Sequence, residues 1–258
     1  MAMTPYYYIV RQMPGLALRL ALNDVPFYRR AVSYNVASNG PVNHALIRGE
    51  NTVLMEFFQD AVNPLSPNAR IMLDFVVLRE EDDVIVHETK WPALLDLHKP
   101  EDRKLPLVHR THFTIDTEIP KPLWADNPPE FFPPEGTDEQ HEAVFQLHDA
   151  YRRQDVGAFL AATELKLADH KRYYGPTPGL DPISAERDYG AKLREPWDVA
   201  PYKPEELVFE RWQEGRVAYV TRKDGGYALQ ATHRTDPKQA WNANLYLTRE
   251  AGKWRIFR

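Results

Sequence analysis

The apolar positions of this chain change their period part-way along. In the first half the runs 6–10, 17–22, 27–34, 52–59, 70–78, 84–89 and 108–117 are short and rich in Val, Ile, Phe and Tyr. Turn residues separate them: Pro14-Gly15, Asn23-Asp24, Asn39-Gly40-Pro41, Asn63-Pro64 and Asp82-Asp83. Short runs punctuated in this way predict an antiparallel sandwich or barrel. In 16–22 the leucines share one face while Ala17, Arg19 and Ala21 share the other, which predicts one buried and one half-solvated face. Asn23-Asp24 predicts a hairpin turn, and the acids Glu80, Glu81, Asp82 and Asp83 predict a solvated loop between two strands.

From residue 137 the order is helices first, strands after. Thr137 and Gln140 form a capping-box pattern, followed by Val144, Leu147 and Tyr151 at helical spacing. Asp155 predicts the N-cap of a second helix carrying Phe159, Leu160, Thr163 and Leu167 and ending before Gly175-Pro176. A third starts at Asp181-Pro182 or Ser184 and ends near Leu193, before Pro196. The runs 207–213, 217–222, 227–233, 241–248 and 253–257 then read as strands joined by Gly- and Asp-containing turns, an α+β order.

Between the halves lies IPKPLWADNPPEFFPPEG, residues 119–136, with six prolines from Pro120 to Pro134. Proline fixes φ, removes a donor and disfavours helix before it, so this stretch is a semi-rigid strap. Its Leu123, Trp124, Phe131 and Phe132 are apolar enough to predict that it docks on a domain. The expected organisation is therefore two domains, an all-β sandwich over 1–118 and an α+β domain over 137–258, with the strap at 119–136.

Composition narrows the partners. Residues 1–118 carry 12 basic against 15 acidic side chains and 137–258 carry 19 against 19, so neither half has the basic footprint that nucleic acid needs. The absence of cysteine excludes disulfides, thiolate metal sites and thiol nucleophiles. The opening MAMTPYYYIVRQ lacks the apolar run of a signal peptide or membrane span, which predicts a cytoplasmic protein, or a periplasmic one if a leader has been removed.

Two resemblances carry structural expectations. Leu18 to Pro26 followed by Leu46-Ile47-Arg48-Gly49-Glu50-Asn51-Thr52-Val53 resembles the jelly-roll accessory domain of glycoside hydrolases. That implies a β-sandwich in which Gly49-Glu50-Asn51 turns into a strand. The helix-then-strand order and the ending LYLTREAGKWRIF, residues 245–257, resemble the NTF2-like (SnoaL-like, cystatin-like) superfamily. This implies a curved antiparallel sheet wrapping helices into a cone with a pocket, used in that superfamily by isomerases, dehydratases, cyclases, binding proteins and toxin-immunity proteins.

Candidate chemistry is sparse. For carbohydrate the first domain offers Tyr28, Tyr34, Asn35, Asn39, Asn43 and Trp91, residues whose commoner role is core or turn. His109 and His112 fall on opposite faces of a strand and do not form a metal pair. His141 and His148, seven residues apart on a helix, are too far apart for the zinc motif, so no metal and no cofactor are expected. An acid–base site in the cone needs a desolvated carboxylate or His facing a donor, and His148, Asp149, Asp169, His170, Tyr173, Tyr174, His233 and Trp241 are eligible. His148-Asp149 and Asp169-His170 are helical neighbours that do not face each other.

The pocket residues expected from this pattern are His170, Tyr173, Tyr174, His233 and Trp241, with no catalytic residue assigned. Because no nucleophile, metal or phosphate-loop constellation survives the spacing, the expected function is non-catalytic binding of a protein partner or a small apolar or aromatic ligand. An immunity-type role is a narrower form of it, and association into a homodimer is left open. The alternative is a small-molecule isomerase, dehydratase or cyclase working in the pocket.

Overall fold

The computed structural model describes residues 6–12, 17–30, 36–58, 73–79, 84–90, 106–174 and 182–258. The chain divides into two compact units, 1–122 and 123–258. The first four residues of the proline strap fall with the first unit and the remainder with the second.

Eight strands of the first unit are described: β1 (Tyr6–Gln12), β2 (Ala17–Leu22), β3 (Val25–Arg30), β4 (Val36–Pro41), β5 (Gly49–Phe58), β6 (Leu73–Arg79), β7 (Val84–Lys90) and β8 (Leu107–Ile115). They form two four-stranded antiparallel sheets, ordered β4-β1-β6-β7 and β3-β2-β5-β8. Tyr8 of β1 meets Phe27 and Tyr28 of β3, and His87 of β7 stacks on Phe113 of β8 at 4.8 Å, so rings join the sheets. The turn expected at Asn39-Gly40-Pro41 is instead the end of β4, which pairs with β1 as far as Pro41. The acidic loop 80–83 lies outside the described residues, and β6 and β7 on either side of it pair antiparallel.

The hairpin between β2 and β3 turns through Asn23 and Asp24 at φ of 49° and 58°, the left-handed pair of a type I′ turn. Asn23 does more than turn. Its Nδ2 donates to the Ala45 carbonyl and to Asn51 Oδ1, both at 2.8 Å, while its Oδ1 accepts from the Thr52 amide at 2.9 Å. Fully buried Asn51 accepts from the Ile47 amide and donates to the Ile47 and Gly49 carbonyls, each at 2.9 Å. Gly49, at φ of +100°, supplies the bend that lets one side chain reach all three groups.

The expectation of a half-solvated face on β2 is corrected. Ala17 and Ala21 are buried like Leu18, Leu20 and Leu22. β2 is an interior strand of its sheet, and Arg19 on the alanine face is only 23% exposed and paired with Glu56.

The second unit holds α1 (Asp138–Arg152), α2 (Val156–Ala162), α3 (Glu164–Tyr174), α4 (Pro182–Arg194), β9 (Trp197–Val199), β10 (Leu207–Trp212), β11 (Val217–Arg222), β12 (Ala231–His233), β13 (Leu245–Glu250) and β14 (Lys253–Ile256). The capping box opens α1, with the Thr137 amide donating to Gln140 Oε1 at 2.9 Å. Among the described residues four α-helices stand where three were expected. The break falls at Thr163, whose hydroxyl donates back to the Phe159 carbonyl at 2.8 Å and whose φ of −105° leaves the helix. Antiparallel β10-β11-β13-β14 form one sheet, and β12 pairs with β9, a strand the sequence pattern does not announce. The run 227–233 is strand only at its end, its start making isolated bridges at Tyr227 and Leu229. Side chains from α1, α2, α4 and both sheets, among them Tyr151, Phe159, Leu193, Trp197, Phe209 and Trp254, close into one core.

Trp124 and Phe132 of the strap are buried as expected, whereas Phe131 is 78% exposed, with the Arg211 guanidinium 4.2 Å over its ring. The strap borders β10, an edge strand: Pro134 accepts from the Phe209 amide at 2.7 Å and the Glu130 amide donates to the Glu214 carbonyl at 3.2 Å. An irregular proline cover of this kind blunts a sheet edge without continuing it.

Candidate functional site

Three arrangements in the second unit bear on function. In the first, Trp197 of β9 lies 5.2 Å from His233 and 6.0 Å from Trp241, and Trp241 lies 4.6 Å from Tyr151 and 5.9 Å from Phe159. Two of the expected pocket residues, His233 and Trp241, thus meet around one indole. The group is packed as core, with Trp241 half-buried against it. Tyr151 is 1% exposed and its hydroxyl has no partner among the described residues; burial holds its pKa far above that of a free phenol.

The second arrangement is on α3, where Lys166, Asp169, His170 and Tyr173 recur at the spacing of one helical face. Arg258 reaches them from the end of the last strand: Trp254, Ile256 and Arg258 alternate onto the same side, and Arg258 Nη2 donates to Asp169 Oδ2 at 3.1 Å. Asp169 is 2% exposed, and its Oδ1 and Arg258 Nε are buried with no partner among the described residues. Burial raises the Asp169 carboxyl to about 6 against the opposing pull of Arg258 and Arg172. It lowers His170 to about 4 and Lys166 to about 8, with the Arg258 charge acting in the same direction on both. His170 and Tyr173 thus lie at the spacing of one face of α3, while His233 and Trp241 meet around Trp197. Tyr174 ends α3, and its side chain lies outside the described residues.

The third is a groove of about 660 Å³ where α1, α2 and β14 meet. Ala143 and Ala150 of α1, Ala158, Ala161 and Ala162 of α2, and Trp254 and Ile256 of β14 give it an apolar lining. Glu139, Glu142 and Asp149 edge it on the α1 side, Lys253 and Arg255 on the strand side. Phe145, 43% exposed, also lines it. Among the described residues lining this groove, none is His170, Tyr173, His233 or Trp241.

Other eligible groups have structural work. His148 donates from Nε2 to the Ala200 carbonyl at 2.6 Å, and Asp149 pairs with Arg152 and Arg153. His141 has both ring nitrogens engaged, by Tyr202 at 3.0 Å and the Glu135 carbonyl at 2.7 Å. In the first unit Tyr28 and Asn43 are buried, Asn43 accepting from the Tyr6 amide, so neither forms a sugar platform. Tyr34, Asn35, Trp91 and the Asn39 side chain lie outside the described residues. Among the described residues no group of His, Asp and Glu is placed to hold a metal ion, and no helix is long and apolar enough to cross a membrane.

Sequence reasoning missed Lys166, Arg258 and the groove. The spacing 166, 169, 170, 173 and the alternation 254, 256, 258 were visible signals for the first two. The third is made by the convergence of three elements and left no signal along any one of them. Compared with models of known families, with curated proteins and with solved structures, the chain matches none.

Proposed function

We propose that this is a non-catalytic binding protein whose second unit takes a polypeptide partner in the groove between α1, α2 and β14. The observation that carries the reading is where the space lies. The region between the helices and the strands is occupied by Tyr151, Phe159, Trp197 and Phe209, while an alanine-lined groove opens beside β14. A filled interior with an accessible apolar groove favours a partner over a small substrate. An immunity-type role, blocking another protein by surface contact, is the narrower form.

The fold readings fit this use. Two antiparallel sheets of four strands, with the Asn23–Asn51 link at the resembling motif, support a jelly-roll-like β-sandwich. Helices followed by an antiparallel meander support an NTF2-like cone. A second reading, a proton-transfer enzyme, is favoured by Asp169 alone, a buried carboxyl titrating near neutrality with one oxygen unengaged.

Panning the full chain against a displayed random-peptide library tests the proposal. Selected peptides should lose binding to Ala158→Trp, which fills the groove from an exposed helix position, and keep it to Ile85→Ser in the first unit. Peptides indifferent to Ala158→Trp would refute the groove. An isomerase, dehydratase or cyclase activity abolished by Asp169→Asn would replace the reading by the second one.

A further inference from the structure

The groove's walls indicate what conformation its occupant has. All four residues of β14 line it, and since successive strand residues point to opposite faces, the groove runs along the strand's edge. An added strand would need that edge's backbone groups. One of them is taken, the Trp254 amide donating to Glu139 Oε1 at 3.2 Å, and the Arg255 guanidinium lies across the approach, donating to the Ala161 carbonyl at 3.4 Å and to Glu164 at 3.1 Å. A helix needs none of them, because its backbone bonds are internal. Five alanines on the facing helices leave room for a third helix to approach closely. The α1 wall from Glu139 to Arg153 is about 21 Å long by helical rise, matching about four turns of a partner.

The flanks differ in charge. Asp149, Glu139 and Arg255 are neutralised within the chain. Glu142 on the helical wall accepts from the Gln146 side-chain amide, and Lys253 on the strand wall is exposed; neither has an ion pair among the described residues. Glu142 on the α1 wall and Lys253 on the strand wall thus stand as unpaired charges of opposite sign, with a second unpaired acid, Asp155, capping α2 at the groove's border.

Resting on the groove reading above, we infer that the partner segment is an amphipathic helix, apolar toward Ala143, Ala158 and Ala161, with a basic flank against Glu142 and an acidic flank against Lys253. The partner's class follows from this chemistry: a short helix of another polypeptide bearing charges of both signs.

The test uses the full chain and four synthetic 15-residue peptides followed by fluorescence anisotropy. Three are helical, with one leucine/alanine stripe and flanks of Lys/Glu, Lys/Lys or Glu/Glu. The fourth has the composition of the first but a sequence that cannot form a helix. The Lys/Glu helix should bind at least tenfold better than the others. Glu142→Lys should shift the preference to Glu/Glu and Lys253→Glu to Lys/Lys, and Ala158→Trp should abolish binding. If the non-helical peptide binds as well and is lost in Ala158→Trp, the groove stands and the helix is refuted. If no peptide binds, or binding survives Ala158→Trp, both fall. Sedimentation showing self-association that Ala158→Trp removes would assign the face to a second copy of this chain and overturn the inference.

Discussion

Glu130 of the strap and Arg249 of β13 form a two-pronged ion pair across 119 residues of sequence, with Arg249 Nε and Nη2 donating at 2.5 and 2.8 Å. The pair is about one-quarter exposed on both sides, and Arg249 also donates to the Gly252 carbonyl and to Glu139. Arg249 holds the Glu130 carboxyl below the usual glutamate range. Glu130→Ala should cost about 1.5–3 kcal/mol, the range for a charge-assisted bond. A group with a lowered folded pKa stabilises above its ordinary pKa and loses that contribution as pH falls through the lowered value. The gap in melting temperature between the native protein and Glu130→Ala should therefore close below pH 4.5. A gap that persists there would deny the pair its role.

Two glycines with nearly equal φ should respond differently to alanine. A Cβ on Gly215, at φ of +89°, would lie 1.7 Å from the Glu130 carbonyl oxygen, whereas Gly252, at φ of +82°, has nothing within 4 Å. Gly252→Ala carries only the left-handed penalty, on the order of 1 kcal/mol, while Gly215→Ala must also push the strap away, at a total of about 3 kcal/mol or more. Denaturant melts compare the two. Equal losses would show that the strap does not press on Gly215.

In the first unit, Asn51→Ala takes their side-chain partner from the Ile47 amide and two carbonyls, and leaves Asn23 Nδ2 only its bond to Ala45. The expected loss is about 2–4 kcal/mol, since buried polar groups are left unmatched. Asn51→Asp should fare no better, because a carboxylate cannot donate to the carbonyls. Urea melts followed by circular dichroism would measure both, and a loss below about 0.5 kcal/mol would remove Asn51 from the account.

The α3 cluster predicts two opposing pH slopes. Asp169, raised to about 6, stabilises the fold while protonated and loses that contribution as pH rises from 3.8 to 6. His170, lowered to about 4, stabilises while neutral and loses that contribution as pH falls from 6.5 to 4. The native protein should show little net slope from these two groups between pH 4 and 6. His170→Asn should lose stability on raising pH through that window, and Asp169→Asn should lose it on lowering pH. Thermal midpoints at pH 4, 5 and 6 decide, and parallel profiles for the two variants would contradict the assignment.

Periodicity made most elements legible because it records which face is buried. Thr137 and Gln140 announced the start of α1, and Asn23-Asp24 the first hairpin. The break at Thr163 was not legible, since a threonine inside an apolar stripe reads as helix until its hydroxyl is seen turning back on Phe159. Nor was β9, whose three residues take their conformation from β12 rather than from any pattern of their own. Asn51 read as a turn residue because its partners, Asn23 and Ile47, are specified only by the fold. For the site, spacing along one element, as in Lys166 to Tyr173, was recoverable. Convergence of elements, as of Ala150, Ala158 and Trp254, was not.

Hydrogen exchange of the full chain with and without a library-selected peptide tests the central claim most directly. The account predicts slowed exchange in α1, α2 and β14, with α3 and the first unit unchanged. Protection confined to α3 and the residues around Arg258, with the groove unaffected, would contradict it.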